Sequence, residues 1–297
     1  AQALGGTALV AGRFDAETCL ADLERHRVTH SQWVPTHFVR LLKLSERARG
    51  RYDLSAMRVA IHSAAPCPVE VKRAMIDWWG ERIYEYYSST ESVGSTLVSP
   101  QEWLRKPGTV GRTGHGHPSR ARICAEDGTE LPPGQIGSIY FERPGYSFEY
   151  HNDPEMTAES RHPLHPTWAT TGDIGYLDED GYLFLTDRAM FTIISGGVNI
   201  YPQEIENALA LHPKVFDVAV IGVPDAEMGE SVRAVVQPAV GVAGDEALAA
   251  ELIACCRDRI AGYKCPRSVD FVAALPRTPT GKLVKGALRP VPAGGDR

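Results

Sequence analysis

The sequence predicts an α/β fold followed by a smaller α+β domain, because the spacing of its apolar residues changes twice along the chain. Residues 1–106 alternate helix-like and strand-like patterns, and residues 107–187 contain short strand patterns separated by Gly and Pro. Residues 188–297 return to a mixture of helices and strands. A chain of 297 residues is long enough for roughly two domains. We therefore expect a domain boundary near Arg188.

The first region predicts three strands and two helices. A helix is expected in "FDAETCLADLERHRV", with Asp15 as its cap, and a short strand follows in "HSQWVP". A strand in "MRVAIHSAAP" precedes a helix in "PVEVKRAMIDWWG", and a third strand in "RIYEYY" runs into "SSTES". Ligands of α/β proteins usually bind where strands end, so the loops after these strands are candidate ligand sites.

The later regions predict a β-rich part and then a compact α+β part. Strands are expected in "GSIYFERPG" and "GYLFLTD" within the β-rich part. Beyond Arg188 we expect helices in "PQEIENALALH" and "DEALAAELIACCRDRIAGY", and strands in "VFDVAVIGV", "SVRAVVQ" and "SVDFVAAL".

Composition excludes several functional classes. The formal net charge is -6 without a block of like charges, which argues against a nucleic-acid or anionic-membrane surface. No apolar run reaches the roughly 18 residues of a transmembrane segment, and the N-terminus lacks the basic region of a signal peptide, so a cytoplasmic location is expected. The 6 cysteines contain no C-x-x-C pair, which predicts reduced thiols rather than disulfides or a zinc ribbon. Oligomeric state is left open.

Generic catalytic motifs are absent from the sequence. It has no G-x-S-x-G, H-E-x-x-H or G-x-x-x-x-G-K-[ST] stretch, and its closely spaced histidines have no third metal ligand nearby. Four other stretches each allow a plain structural interpretation. "YYSSTES" could be a polar helix start, "TTGDIGYLDEDGYL" a turn, "IISGGVNIYPQEIE" a glycine turn between a strand and a helix, and "LPRTPTGK" a turn with a solvated lysine.

The joint order of the motifs favours a functional interpretation. "PTHFVRLL", "SAAPCP", "YYSSTES", "TGDIGYLDEDGYL", "DRAMFTIISGGVNIYPQEIE" and "PRTPTGK" together resemble the adenylate-forming (AMP-binding) superfamily, most closely its acyl-CoA synthetases, from about residue 5 to residue 289. In that family a carboxylic acid and ATP give an acyl-adenylate and pyrophosphate, and a thiol then displaces AMP. The resemblance implies ATP, Mg²⁺ and coenzyme A, a fatty or similar apolar acid as substrate, and a small mobile C-terminal domain.

The resemblance also assigns catalytic roles. Lys282 matches the family's adenylation lysine, a cation that can stand between a carboxylate and a phosphate. Glu91 matches the residue that holds Mg²⁺, an ion that commonly takes one or two carboxylates together with phosphate oxygens and water. Thr90 is expected to donate its hydroxyl to a phosphate.

Binding roles follow in the same way. Asp173 is expected to accept both ribose hydroxyls, and Arg188 matches an arginine that also reaches the ribose. Gly196 and Gly197 match the loop that approaches the pantetheine of coenzyme A, and His37 matches an aromatic gate. The positions matching the adenine pocket are Ser63, Ala64, Ala65, Glu85, Tyr86 and Tyr87.

Three departures from the family pattern shape the expectations. The family's Ser/Thr/Gly-rich phosphate loop lies upstream of everything present, and the chain begins at Ala1. We therefore expect the distal half of a longer synthetase, with a truncated N-terminal domain, that is inactive alone. Met190 stands where the family usually has a charged hinge residue, so Arg188 could serve as the hinge instead. Ser88 replaces a glycine and should narrow the space beside the acyl chain.

Two alternative functions remain open. The acceptor could be the phosphopantetheine of a carrier protein instead of free coenzyme A, since both use the same glycine loop. The chain could also be a non-catalytic interaction domain, which the retained set Glu91, Asp173, Arg188 and Lys282 opposes. If half of a domain is missing, residues 1–100 should expose apolar surface.

Overall fold

The computed structural model describes residues 3, 5–12, 14–114, 118–145, 148–278 and 283–288, and within residues 187–189 it describes the backbone alone. Within these residues the strands form three sheets, each built from a consecutive stretch of the chain.

The first sheet confirms the predicted α/β pattern. Its strands are β1 (His30–Trp33), β2 (Val59–His62), β3 (Ile83–Ser88) and β4 (Ser95–Val98), in that spatial order. Strands β1 to β3 are parallel, and β4 is antiparallel to β3. The helices of this region are α1 (Ala16–Arg25), α2 (Pro35–Leu42), α3 (Glu46–Arg49), α4 (Val69–Trp79) and α5 (Pro100–Arg105).

Local signals account for several of these boundaries. Asp15 caps α1 as expected, and its side chain accepts a hydrogen bond from the amide of Thr18. Ser99 and Glu102 form a reciprocal capping box at the start of α5. The interpretation of "YYSSTES" as a helix start is wrong. The chain turns after β3 and continues as strand β4, which pairs antiparallel with β3.

The second sheet is antiparallel and confirms the β-rich part. It contains β5 (Thr109–Gly111), β6 (Arg120–Cys124), β7 (Gly137–Glu142), β8 (Trp168–Ala169), β9 (Asp173–Leu177) and β10 (Leu183–Arg188). The order is β5-β10-β9-β7-β6, and β8 pairs with β7. A short helix, α6 (Pro154–Glu159), lies between β7 and β8 in the chain.

The third sheet begins after a short 3₁₀ turn, Ala189–Phe191, that follows β10. It contains β11 (Ile193–Ser195), β12 (Val198–Ile200), β13 (Val215–Asp225), β14 (Gly229–Pro238) and β15 (Ser268–Phe271). Helices α7 (Pro202–Leu209) and α8 (Glu246–Arg257) pack on this sheet around a core that includes Ile205 and Leu252. The change of sheet at this turn supports the proposed boundary near Arg188.

Helix α8 is shorter than its sequence pattern predicts. The pattern continues to Tyr263, but the helix ends at Arg257 with Asp258 as its C-cap. Asp is a weak helix former, and a separate 3₁₀ turn, Gly262–Lys264, follows. Periodicity therefore located the helix, whereas the competing local turn set its end.

Surface features agree with part of the expectations. Leu9, Val10 and Val69 are the exposed large apolar side chains in the described part of residues 1–100, so exposed apolar surface is limited there. The cysteines are free thiols, as predicted.

No helix in the described ranges is long and apolar enough to cross a membrane.

A buried ion pair ties the first sheet to the helix that covers it. Lys72 of α4 lies 2.6 Å from the Glu85 carboxylate of β3, and both side chains are at least nine-tenths buried. The parallel register places His62 beside Glu85, and the His62 ring nitrogen lies 3.5 Å from the same carboxylate oxygen. Burial raises the pKa of Glu85, while Lys72 opposes that rise. Loss of either charge would leave the other unpaired in the core.

We predict that Lys72→Met destabilises the protein by about 3 kcal/mol or more, because Glu85 then remains buried without its cation. Denaturant unfolding at pH 7 measures this change. Lys214→Met is the matched control, since Lys214 lies 2.6 Å from Glu251 in a pair that is nearly half exposed, and such pairs contribute only about 0–1 kcal/mol. Equal losses of unfolding free energy in the two variants would show that burial of the Lys72–Glu85 pair does not make its loss more costly.

Candidate active site

A cleft of about 270 Å³ lies among the three sheets. Its lining includes residues from the ends of β2 and β3, from the start of β9, and from the α+β part of the chain. Among the residues predicted to bind the nucleotide, those lining the cleft are Ala64, Ala65, Glu85, Tyr86, Tyr87 and Asp173. Residues assigned separately from sequence are thus brought to one place.

The end of β2 forms an unusual turn at the cleft. Ala64 has φ 76°, a left-handed conformation that is uncommon outside glycine. Such strained residues often mark ligand sites, where the surrounding structure holds them in place. Ser63, just before it, is buried and is not among the residues that line the cleft. The small side chains of Ala64 and Ala65 line the same cleft as Tyr86 and Tyr87.

Asp173 is held in place from two sides. Its Oδ2 atom accepts hydrogen bonds from the Tyr87 hydroxyl at 2.6 Å and from the Thr171 hydroxyl at 3.1 Å. The side chain is buried, although a carboxylate offers about four acceptor sites in all. The two hydroxyl donors thus fix the orientation of a carboxylate that lines the cleft. Arg188 lies opposite Asp173 in the β9–β10 register, and its side chain is outside the described part of the structure.

Thr90 and Glu91 lie in the turn after β3. Thr90 is exposed, and Glu91 is half-buried with its Oε1 atom accepting a hydrogen bond from the Tyr150 hydroxyl at 2.9 Å. Neither lines the cleft, but Ser88 and Ser89 just before them do. Within the described ranges, no cluster of three or more His, Cys, Asp or Glu residues could hold a metal. A single carboxylate fits Mg²⁺ that arrives with a phosphate ligand, because this ion takes few protein ligands.

Lys282 falls in residues 279–282, outside the described residues, but both sides of that segment are defined. Arg277 forms a two-pronged pair with Asp217, with both N–O distances at 2.8 Å. Lys285 lies 2.8 Å from Glu206, and this pair is largely buried. The Val284 amide donates to the carbonyl of Pro276 at 2.9 Å. Arg277 and Lys285 line the same cleft as Asp173.

Gly196 and Gly197 form the two-residue turn of the β11–β12 hairpin. Their φ angles are 57° and 79°, as a type I′ turn requires. The expectation that these glycines directly precede a helix is wrong, since β12 lies between them and α7. A Cβ on Gly196 would lie 2.4 Å from the Met228 methyl group, whereas a Cβ on Gly197 would have no neighbour within 4 Å among the residues that the structure describes. The positive φ is therefore the main reason for glycine at position 196, because the Met228 side chain is flexible and could move aside, and Gly197 borders open space among the described residues.

His37 and Met190 lie outside the cleft lining. His37 belongs to α2 and stacks on Phe14 with ring centroids 4.0 Å apart, while its neighbours Thr36 and Val39 line the cleft. Burial, assisted by the nearby Arg40 charge, lowers the pKa of His37 to about 4. Met190 lies in the 3₁₀ turn and is 65% exposed, so an apolar side chain faces solvent at the proposed hinge.

Several residues at the site were not found from sequence. Tyr150, Phe191, Arg277 and Lys285 contact the site residues or line the cleft. Phe191 and Arg277 lie within two of the motif stretches but had been assigned no role, and Tyr150 and Lys285 lie outside those stretches. One signal was present for Lys285, since its partner Glu206 lies one helical turn before Leu209 on the apolar face of α7. A carboxylate on such a face needs a buried partner.

Fold and site together define a protein in which strand ends, an anchored aspartate and an α+β unit line one cleft that carries both apolar and charged side chains. Comparison with protein families agrees with this class. The AMP-binding enzyme family matches residues 1–151, and the AMP-binding enzyme C-terminal domain matches residues 204–282. The chain belongs to this family of AMP-binding enzymes.

Curated relatives include several acid–thiol ligases. Feruloyl-CoA synthase from Amycolatopsis sp is 38% identical over 288 residues, which cover 96% of this chain and 56% of the relative. Long-chain-fatty-acid–CoA ligase from Bacillus subtilis is 35% identical, with 96% and 49% covered. Fatty acid–[acyl-carrier-protein] ligase ScoC from Streptomyces coeruleorubidus is 33% identical, with 96% and 54% covered. The chain spans about half the length of the curated relatives it matches.

Solved structures confirm the predicted fold class. The anthranilate CoA ligase AuaEII, solved in complex with anthranoyl-AMP, superimposes with a TM-score of 0.79 at 27% identity, covering 92% of this chain and 51% of that one. The α/β, β-rich and α+β parts predicted from sequence are therefore those of an adenylate-forming enzyme.

We predict that stability falls as the pH drops from about 6.5 towards 4, partly through His37. The unfolded imidazole binds a proton near pH 6.5, whereas the folded one does so only near pH 4, so protonation favours unfolding in this window. His37→Phe keeps a ring to stack on Phe14 and should reduce the slope of unfolding free energy against pH by up to about one proton. Denaturant unfolding between pH 4 and 7 measures it, and an unchanged slope would contradict the assignment.

Proposed function

We propose that this chain is part of a longer ATP-dependent ligase that joins a carboxylic acid to coenzyme A through an acyl-adenylate. One observation carries the proposal: Arg277 and Lys285, on either side of the segment that contains Lys282, line the same cleft as Asp173 and Tyr87. A lysine in that segment can therefore reach a nucleotide held by the strand ends.

The nucleotide would occupy the cleft with its adenine between the turn at Ala64 and Ala65 and the strand end at Tyr86 and Tyr87. The Glu85 carboxylate lies at the edge of this slot, fixed by Lys72. Asp173, oriented by Tyr87 and Thr171, would accept the ribose hydroxyls with the help of Arg188. Fixed acceptors of this kind bind a diol without a large loss of side-chain entropy.

The phosphates would lie towards the turn that follows β3. Mg²⁺ held by Glu91 would neutralise phosphate charge, and the exposed hydroxyl of Thr90 would donate to a phosphate oxygen. Lys282 would stand between the acid and the α-phosphate, where negative charge builds up during the attack. The Ser/Thr/Gly-rich phosphate loop expected from the family is supplied in this proposal by the longer chain.

Thioester formation would use the other face of the α+β unit. Open space beside Gly197 leaves room for a pantetheine arm against the backbone of the hairpin. Rotation near Arg188 and Met190 would exchange Lys282 for this hairpin at the cleft. His37 is proposed to gate the access of the thiol and the acyl group to the cleft. It lies on α2 next to Thr36, which lines the cleft.

We propose a fatty or similar apolar acid as the substrate. Apolar residues of α2 and its N-cap, among them Val34, Pro35 and Val39, line one side of the cleft. The curated relatives act on different acids, including long-chain fatty acids, according to their names. One methylene of the acid changes its binding free energy by only about 1–3 kcal/mol, so the proposal names a class of acid and no single chain length.

A carrier protein is the second candidate acceptor. The relative ScoC, named for an acyl-carrier-protein ligase, supports this candidate at 33% identity. Assay of the full-length enzyme with coenzyme A and with a phosphopantetheinylated carrier protein separates the two. A protein that used neither acceptor but still released pyrophosphate would be an adenylating enzyme of another kind. Failure to release pyrophosphate would favour the non-catalytic alternative.

We predict that Lys282→Ala in the full-length enzyme lowers the rate of acyl-adenylate formation by about 10²-fold or more, because a preorganised cation at the developing charge is lost. Conversion of supplied acyl-adenylate and coenzyme A to thioester should stay near its normal rate, since Lys282 has no role after adenylation. Pyrophosphate release and single-turnover thioester assays measure the two steps. Lys214→Ala, which removes an exposed lysine paired with Glu251, is the control. Equal loss of both steps in Lys282→Ala would mean that the segment acts only in folding.

We predict that Gly197→Leu has the opposite effect. A side chain at Gly197 would fill the open space proposed for pantetheine, so thioester formation should slow several-fold while adenylate formation continues. Gly241→Leu is a matched control, because Gly241 also has a positive φ and a Cβ added there would meet no atom within 4 Å. Similar effects of the two substitutions on thioester formation would attribute the defect to backbone strain and contradict the pantetheine assignment.

A further inference from the structure

The turn after β3 is held by two side chains from the β-rich part of the chain. Tyr150 donates its hydroxyl to Glu91 at 2.9 Å, and Arg143 donates to the carbonyl of Ser92. Ser92 itself has φ 52°, and the amide of Ser92 donates to the carbonyl of Ser89 at 3.1 Å. A strained turn of this kind keeps its shape only if its surroundings fix it.

Tyr150 is itself fixed by the helix that follows it. Its amide donates to the Thr157 hydroxyl at 2.9 Å, and that hydroxyl donates to the carbonyl of Asp153 at 2.8 Å. The Tyr150 ring packs edge-on against Phe148, with centroids 5.1 Å apart, and the Arg161 guanidinium lies over Phe148. The hydrogen-bonded backbone and the packed ring therefore hold the Tyr150 hydroxyl next to Glu91.

We propose that Tyr150 is a positioning residue that orients the Glu91 carboxylate for Mg²⁺ bound together with ATP; this inference rests on the proposed function. The phenol hydrogen bond orients the Glu91 carboxylate through its Oε1 atom, and a carboxylate has two oxygens with about four acceptor sites in all. This hydrogen bond also removes the rotational freedom that Glu91 would otherwise lose on binding the ion. Hydrogen-bond partners of metal ligands often change metal affinity by 10-fold or more when they are removed.

A second tyrosine at the site shows the same arrangement. Tyr87 donates to Asp173 at 2.6 Å, as Tyr150 donates to Glu91 at 2.9 Å. In each pair one partner comes from the end of the first sheet and the other from the β-rich part. The two phenols therefore fix two carboxylates relative to each other across the junction between these parts.

The test uses the full-length enzyme with Mn²⁺ as the probe, in the presence of ATP and the absence of acid. Electron paramagnetic resonance of Mn²⁺ with ATP, titrated with enzyme and compared with Mn²⁺ and ATP alone, gives the affinity for the metal–nucleotide complex without any turnover. Tyr150→Phe, which keeps the ring against Phe148, should weaken Mn²⁺ binding about 10-fold. Tyr182→Phe is the matched control, since the Tyr182 hydroxyl donates to Glu102 at 3.3 Å away from the proposed metal site, and it should leave Mn²⁺ affinity unchanged.

A double-mutant cycle separates this inference from the proposed function. If Tyr150 acts through Glu91, Tyr150→Phe should have little further effect in a Glu91→Gln background. Unchanged Mn²⁺ affinity in Tyr150→Phe, with weakened binding in Glu91→Gln, would overturn the role of Tyr150 alone. Unchanged affinity in Glu91→Gln would instead reject the metal site of the proposed function. Full additivity of the two changes would also overturn the inference.

A structural role for Tyr150 predicts a different result. In that case Tyr150→Phe would lower the melting temperature and slow the conversion of supplied acyl-adenylate to thioester as much as it slows adenylation. The positioning role predicts a normal thioester step, and saturating Mg²⁺ should restore most of the adenylation rate. Loss of both steps that Mg²⁺ fails to restore would overturn the proposal.

Discussion

Pairing of partly desolvated carboxylates is the constraint on which the cleft depends. Asp173, Glu85, Glu206 and Asp217 all line the cleft and all have limited exposure to water. A carboxylate in such surroundings is costly unless hydrogen bonds or a cation compensate for lost hydration. Each of these four has such a partner, respectively Tyr87, Lys72, Lys285 and Arg277. Satisfying the carboxylates therefore also brings separate parts of the chain to the cleft.

The long distance along the chain between a carboxylate and its partner explains why the sequence alone did not predict these pairs. Tyr87 and Asp173 are 86 residues apart, and Arg277 and Asp217 are 60 apart. Periodicity reports on neighbours within one helix or strand, and it located α1, α4, α7 and most central strands correctly. It missed β12, whose three residues include a polar Asn199, because so short a strand has no readable alternation. Long-range side-chain partners have no local signal at all.

The motif resemblance predicted more of the site than periodicity did. It assigned Ala64, Ala65, Glu85 and Asp173 to one nucleotide site; all four line the cleft, and their binding roles stay predictions. His37 stacks on Phe14 instead of lining the cleft, so its gating role stays a prediction. The helix-start interpretation of "YYSSTES" failed because the hydroxyls there cap no helix and the strand β4 pairs back on β3. Residues whose role depends on a partner, such as Tyr150, required the structure.

The anchoring on both sides of residues 279–282 has a consequence for timing. Leu283 pairs with Arg277 across a β-bridge, Arg277 is paired with Asp217, and Lys285 is paired with Glu206. Lys282 lies outside the described residues and is the immediate chain neighbour of Leu283. In the proposed mechanism, withdrawal of Lys282 would accompany movement of the α+β unit, so that adenylate formation and thioester formation would exclude each other in time. In such an enzyme the position of one domain would decide which of the two half-reactions is possible.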